Sequence, residues 1–254
     1  MADAVKISVD DNIVLGEAFT KSANEFKARA PGKSALVLGG TGESGSEVVK
    51  HIMASGAFDK VTVFARRPVE YTGPNADTLV YKPVNLEDTE QMKKDFAGHT
   101  HAFTCLGTTQ AKSGKEGFYK VDHDYILNTA KACKAAEIEH YTICSTAGAN
   151  KNSMFFYTKT KGEVDSEIQD MGFPRVSIFR PGMLMCDRKE ARPTEKMASY
   201  LMPALNFIIP NRLCVPTSTV GWVMAKNAFK KVDTPAVEII SNLDMMNAFK
   251  AGQQ

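Results

Sequence analysis

The chain has 254 residues, 24% of them charged, with a net charge of +2, which suits one domain with a large core and excludes the strongly basic balance of a nucleic-acid or membrane-surface binder. Its five cysteines (105, 133, 144, 186, 214) are odd in number and scattered, which argues against a disulfide framework or a zinc site. With no run long enough to span a bilayer and no signal-peptide pattern in residues 1–11, the expectation is a cytoplasmic protein that is also nuclear or associated with the nuclear envelope.

Residues 1–33 read as an N-terminal extension. Leu15, Phe19 and Phe26 fall on one helical face, so residues 12–28 are expected as an amphipathic helix, either docked on its own domain or serving as an anchor for a membrane or a partner. Residues 34–254 read as a single dinucleotide-binding domain. The apolar run 35–38 predicts a buried strand. It breaks into Gly39-Gly40-Thr41-Gly42-Glu43-Ser44-Gly45, and then Val48, Val49, Ile52 and Met53 recur at helical spacing. Glycines at 40, 42 and 45 fit the dinucleotide fingerprint; those at 39, 42 and 45 fit its variant with one more residue. In either register one glycine permits the turn, one lets backbone amides approach a pyrophosphate, and one lets helix and strand pack closely.

Further strands are expected at 60–65, 79–84, 102–106, 140–144 and 176–179, with helices at 119–136 and 153–171 between them. That alternation predicts an α/β fold with a doubly wound parallel sheet. Residues 186–216 hold three internal prolines and read as a small irregular cap over a substrate cleft, the cap falling mainly within 185–217. A helix at 220–229 and a strand at 237–240 complete the chain.

The second strand ends in Phe64-Ala65-Arg66-Arg67-Pro68, with no carboxylate before Glu70. An acid at that place pairs with the ribose 2′-hydroxyl of NAD, whereas arginine accommodates the 2′-phosphate of NADP, so NADPH is the expected cofactor. Tyr157 and Lys161 form the chain's only Tyr-x-x-x-Lys, and their spacing puts both side chains on one face of the helix after the fifth strand. A nearby ammonium favours phenolate. Moving a tyrosine from a pKa of about 10 to about 7 takes roughly 4 kcal/mol of differential stabilisation. A tyrosine so tuned exchanges a proton with a carbonyl or alcohol oxygen near neutral pH. Ser145, twelve residues before Tyr157, is the candidate partner for the same oxygen, with Thr146 its close competitor.

With these residues stand Cys105-Leu-Gly-Thr-Thr109, Val121-Asp-His-Asp-Tyr125, Lys161-Gly-Glu-Val164, Phe179-Arg-Pro-Gly182 and Cys186-Asp-Arg188. Together they resemble the HIV Tat-interactive protein 2 oxidoreductase family, atypical short-chain dehydrogenase/reductases, over about residues 34–219. The resemblance implies a Rossmann fold and NADPH bound by the glycine turn (Gly39, Thr41, Gly42, Glu43, Ser44), Arg66, Arg67, Leu106, Gly107, Tyr157, Lys161, Leu184 and Arg192. It implies Tyr157 as proton donor or acceptor, and protein partners in transcription or nuclear import. One departure is Asp122, where the wider superfamily often places a relay asparagine; an ionised carboxylate accepts hydrogen bonds but cannot donate them. The leading functional expectation is NADPH-dependent reduction of a small carbonyl compound. Its rivals are an NADPH-sensing regulator with little turnover, and an epimerase or dehydratase that uses the nucleotide transiently.

Overall fold

Every residue of Ser34–Leu38 (β2) is buried, and a strand covered on both faces belongs at the centre of a sheet. In the computed structural model, which describes residues 3–9, 13, 15–185, 213–233 and 235–253, β2 pairs with Lys60–Ala65 (β3) on one side and His101–Thr104 (β6) on the other. Outward from β3 lies Leu79–Pro83 (β5); outward from β6 lie His140–Cys144 (β7), Arg175–Arg180 (β8) and Ala236–Ser241 (β11). The seven strands run in the order β5-β3-β2-β6-β7-β8-β11, and every pairing is parallel. The direction of winding reverses between β2 and β6. There the strand ends open a crevice, the usual place for a dinucleotide on this Rossmann-like sheet.

Alternation along the strands builds two apolar layers. Ala35, Val37, Val63 and Phe103 face Glu17–Arg29 (α1), Glu43–Ser55 (α2), Thr217–Ala228 (α7) and Asn242–Gly252 (α8). Leu36, Leu38, Ala102 and Ile143 face Thr89–Phe96 (α3), Ile126–Ala135 (α5) and Phe156–Asp170 (α6).

Helix α1 buries Phe19, Ala23 and Phe26 against the first layer. The Phe19 ring lies 5.2 Å from that of Trp222 and 5.5 Å from that of Phe229, and Phe26 meets Phe58 edge-on at 5.4 Å. Trp222, wholly buried on α7, donates its indole N–H to the carbonyl of Leu15 at 2.7 Å and meets Phe249 of α8 at 5.2 Å. Residues before α1 add a strand, Val5–Ser8 (β1), which pairs in parallel with Val69–Thr72 (β4) in a separate two-stranded sheet.

The chain departs from the sequence expectations at several element ends. Instead of one helix over 119–136, Gln110–Tyr119 (α4) leads through a π-helical turn, Lys120–Tyr125, into α5. Helix α6 starts at Phe156 because Asn150 and Ser153 close a turn ahead of it, Ser153 N–H donating to the Asn150 carbonyl at 2.9 Å. Strand β6 stops at Thr104, so Cys105 and Leu106 belong to the loop. Most of the expected cap, residues 186–212, lies outside the described residues. Its flanks, Met183–Met185 (β9) and Cys214–Pro216 (β10), pair in parallel.

Candidate active site

From Gly39 to Gly45 the chain turns on glycines, three of which leave no room for a Cβ. Gly39 adopts a left-handed φ of 75°, and a Cβ there would lie 2.5 Å from the Cys105 carbonyl carbon. A Cβ on Gly40 would come within 2.9 Å of Val63 Cγ1, and one on Gly45 within 2.1 Å of the Gly39 oxygen. Both fingerprint registers are therefore occupied for steric reasons. Gly42 accepts from the Ser46 amide at 2.8 Å and begins α2 without a side-chain cap. That leaves the dipole-positive end of the helix suited to phosphate oxygens. The cradle fits a dinucleotide pyrophosphate, with Thr41, Glu43 and Ser44 around it.

Arg66 and Arg67 follow β3, the strand beside β2, and both are exposed; among the described residues neither makes an ion pair. The N–H of Val5, at the start of β1, donates to the Pro68 carbonyl at 2.8 Å, so the N-terminal segment braces the residue after Arg67.

Leu106 and Gly107 leave β6 and run past Asp122, which sits in the π-helical turn, a feature that inserts a residue and often marks functional sites. One carboxylate oxygen of Asp122 accepts from the Thr108 amide at 2.7 Å. The other lies 3.4 Å from Lys161 Nζ, and both side chains are only 4% exposed. Burial works against the charge on Lys161, yet the Asp122 carboxylate, with Tyr157, Cys144 and Asp165, holds its pKa above the usual lysine value. Burial pushes the Asp122 carboxyl up, opposed by Lys161 and the Thr108 amide. The asparagine-to-aspartate departure thus has a physical account. Two donors converge on this side chain, and a carboxylate offers an oxygen to each.

Tyr157, one turn before Lys161 on α6, is 43% exposed, its ring 5.6 Å from that of Phe118. Ser145, just beyond β7, is buried. Burial pushes the nearby Asp165 carboxyl up, opposed by the Ser145 hydroxyl and Arg180, but neither Ser145 Oγ nor Asp165 Oδ1 completes a hydrogen bond. Asp165 Oδ2 accepts from Arg180 Nε at 2.9 Å. Thr146 is half-buried. Leu184 is half-buried in β9, opposite Val215 of β10, and Arg192 lies outside the described residues.

The sequence marks Asp122 only as a departure. That it anchors Lys161 and the 106–108 loop joins residues 14 and 39 positions away, for which the chain carries no local signal.

A family model described as NAD(P)H-binding matches residues 39–199. The chain is 36% identical to Protein HTATIP2 of Rattus norvegicus over 211 residues, 83% of this chain and 86% of the relative. It is 30% identical to "Protein FMP52-1, mitochondrial" of Scheffersomyces stipitis over 224 residues, 85% of this chain and 99% of the relative. Among solved structures, MoeE5 in complex with UDP-glucuronic acid and NAD superposes with a TM-score of 0.62 at 17% identity, covering 82% of this chain and 76% of that one. The Bordetella bronchiseptica enzyme WbmG in complex with NAD gives 0.60 at 16%, covering 87% and 77%. These likenesses support the Rossmann-type fold.

The expected cytoplasmic or nuclear placement is overturned, because several fungal relatives are named as mitochondrial proteins. Scattered cysteines do not say which compartment holds the chain. Among the described residues no helix is long and apolar enough to cross a membrane. On identity and coverage alike, the chain belongs to the NAD(P)H-binding family that includes HTATIP2 and the fungal FMP52 proteins.

Proposed function

We propose that the protein is an NADPH-dependent reductase of a small carbonyl substrate, working in the mitochondrial setting that the fungal relatives' names support. The observation that carries it is the pair Tyr157 and Lys161, one helical turn apart beside the strand ends, with the ammonium kept charged in a buried setting. In this reading Arg66 and Arg67 take the 2′-phosphate, the glycine cradle takes the pyrophosphate, and Leu106, Gly107, Leu184 and Arg192 contact the rest of the cofactor. When bound, the reduced nicotinamide supplies the hydride. Tyr157 gives its proton to the carbonyl oxygen, and Lys161 lowers the cost of the phenolate that remains. Ser145 or Thr146 steadies the same oxygen.

The test is turnover of a panel of aldehydes, ketones and quinones with NADPH as donor. Reduction that collapses in the Tyr157→Phe variant supports the reading, and equal rates in the two proteins remove Tyr157 from the role of acid. A second reading, an NADPH sensor with little turnover, is favoured by the enclosure of the Ser145 hydroxyl away from solvent. Tight NADPH binding, with no substrate of the panel reduced, would select it.

A further inference from the structure

Two thiols lie side by side at the floor of the crevice. The register between β6 and β7 runs to Thr104 opposite Ile143, which makes Cys105 and Cys144 the next facing positions. Partners at one level of a parallel sheet point to the same face, and both cysteines pack against the apolar layer that carries α2. Adjacent strands stand about 4.8 Å apart, inside the Cα–Cα range that a disulfide spans. Both residues are half-buried as a whole, while burial still weighs on each thiol group. Cys105 has left the β6–β7 ladder, so its side chain can adjust. Its backbone still donates to the Leu38 carbonyl at 2.8 Å, and its carbonyl group is what Gly39 packs against. The pair therefore touches the glycine cradle from below.

We propose that Cys105 and Cys144 are a reversible dithiol–disulfide site, oxidised by a peroxide and shielded by bound dinucleotide. The two thiols differ in the way such a reaction needs. The neighbouring Cys105 thiol, with the Lys161 charge and the Ser44 hydroxyl, lowers the Cys144 pKa against the opposing effect of burial. Cys105 is raised well above the ordinary value, first by the Cys144 sulfur beside it and then by burial. Cys144 is thus the attacking sulfur. Its thiolate takes one peroxide oxygen; an S–O bond forms, the O–O bond breaks, and the second oxygen leaves as water after protonation. Cys105, giving up its proton, then attacks the sulfenic sulfur. The S–S bond forms, the S–O bond breaks, and the departing hydroxide collects that proton as water. Two electrons pass from the thiols to the peroxide, and a small-molecule dithiol reverses the change.

The shielding half of this proposal rests on the dinucleotide reading above, whereas the thiol pair does not. The whole protein is treated with hydrogen peroxide, free thiols are blocked, and an unreduced digest is examined by mass spectrometry. NADPH binding is measured separately by calorimetry. The expected product is a peptide pair joined through Cys105 and Cys144, cleaved by dithiothreitol and absent from the Cys144→Ser variant. In the Cys105→Ser variant, dimedone should trap a sulfenic acid at Cys144. Saturating NADPH should slow cross-linking about tenfold. Both thiols remaining free in the oxidised wild type, or either pairing with another cysteine instead, would overturn the proposal. A cross-link whose rate ignores calorimetrically saturating NADPH overturns the shielding, while a cross-link in protein that binds no NADPH overturns both the shielding and the reductase reading.

Discussion

Lys161 and Asp122 form a buried ion pair that links α6 to the π-helical turn, and through the Thr108 amide to the loop after β6. The residue proposed to tune Tyr157 is thereby tied to the loop proposed to touch the cofactor. Asp122→Asn keeps the shape but leaves two donors competing for one oxygen. A destabilisation of about 1–3 kcal/mol in urea unfolding is expected, together with weaker NADPH binding in a calorimetric titration. Unchanged values in both would mean that the pair is incidental.

Tyr157→Phe removes only a hydroxyl from a half-exposed ring. Carbonyl reduction should fall by about 10²–10⁴-fold with NADPH affinity little changed. Lys161→Ala should impair both, since it removes the charge beside the phenol and leaves Asp122 buried without its cation. Single-turnover kinetics with separate binding measurements distinguish the two variants.

Replacing Arg66 or Arg67 by Ala should weaken NADPH binding by about 1.5–3 kcal/mol for each charge-assisted hydrogen bond to the 2′-phosphate that the change removes, and leave NADH affinity nearly as it was. Parallel titrations with the two cofactors check this. Equal weakening for both would move the arginines from the 2′-phosphate to some shared part of the molecule.

Acid should destabilise the fold through its buried histidines. Burial, with Lys33 and Arg175 adding, pushes the His101 pKa down to about 3, and burial also lowers His140, His99 and His51. The folded value lies below the unfolded one of about 6.5, so the neutral ring's contribution is fully present above pH 6.5. As pH falls below that, the unfolded chain takes up a proton that the folded one refuses, and stability drops by about 1.4 kcal/mol per pH unit for His101 until pH 3. Urea midpoints between pH 7.5 and 5 should show the slope, and His101→Phe should flatten part of it.

Phe19→Ala should cost about 3–5 kcal/mol, because it opens a cavity against Trp222 and Phe229. Deleting residues 1–32 should lower the melting temperature and expose those rings, which dye binding would report. A truncated chain as stable and soluble as the whole one would show that α1 contributes little.

Much of this architecture is legible in the chain where a segment's role is set by its own residues. The runs at 60–65 and 140–144 coincide with β3 and β7 because β-branched and aromatic side chains fill their interiors, 61–64 and 141–143. The glycine turn is equally plain, although only the packing of Gly40 on Val63 explains why both registers coexist. Two helices, α3 and α8, escape a reading by periodicity although their caps are written in the chain. Asp88 accepts from the Gln91 amide, and Ser241 with Asp244 forms a capping box. Strands β1 and β4 are four residues long and half solvated, and they exist because they pair with each other across some 60 residues. The same distance effect hides the Asp122–Lys161 pair and the facing cysteines, which a linear reading can only describe as scattered.

Trp222 is the chain's single tryptophan, and it lies where the first and last helices meet. Its indole is dry and hydrogen-bonded to the segment leading into α1, and a Cβ on Gly252 at the end of α8 would lie 2.2 Å from Trp222 Cη2. Fluorescence excited selectively at tryptophan therefore comes from one chromophore held between both ends of the described chain. Release of either helix would admit water to it and shift its emission to the red, so end-docking can be timed optically without a label while the strand ends and their chemistry stay untouched.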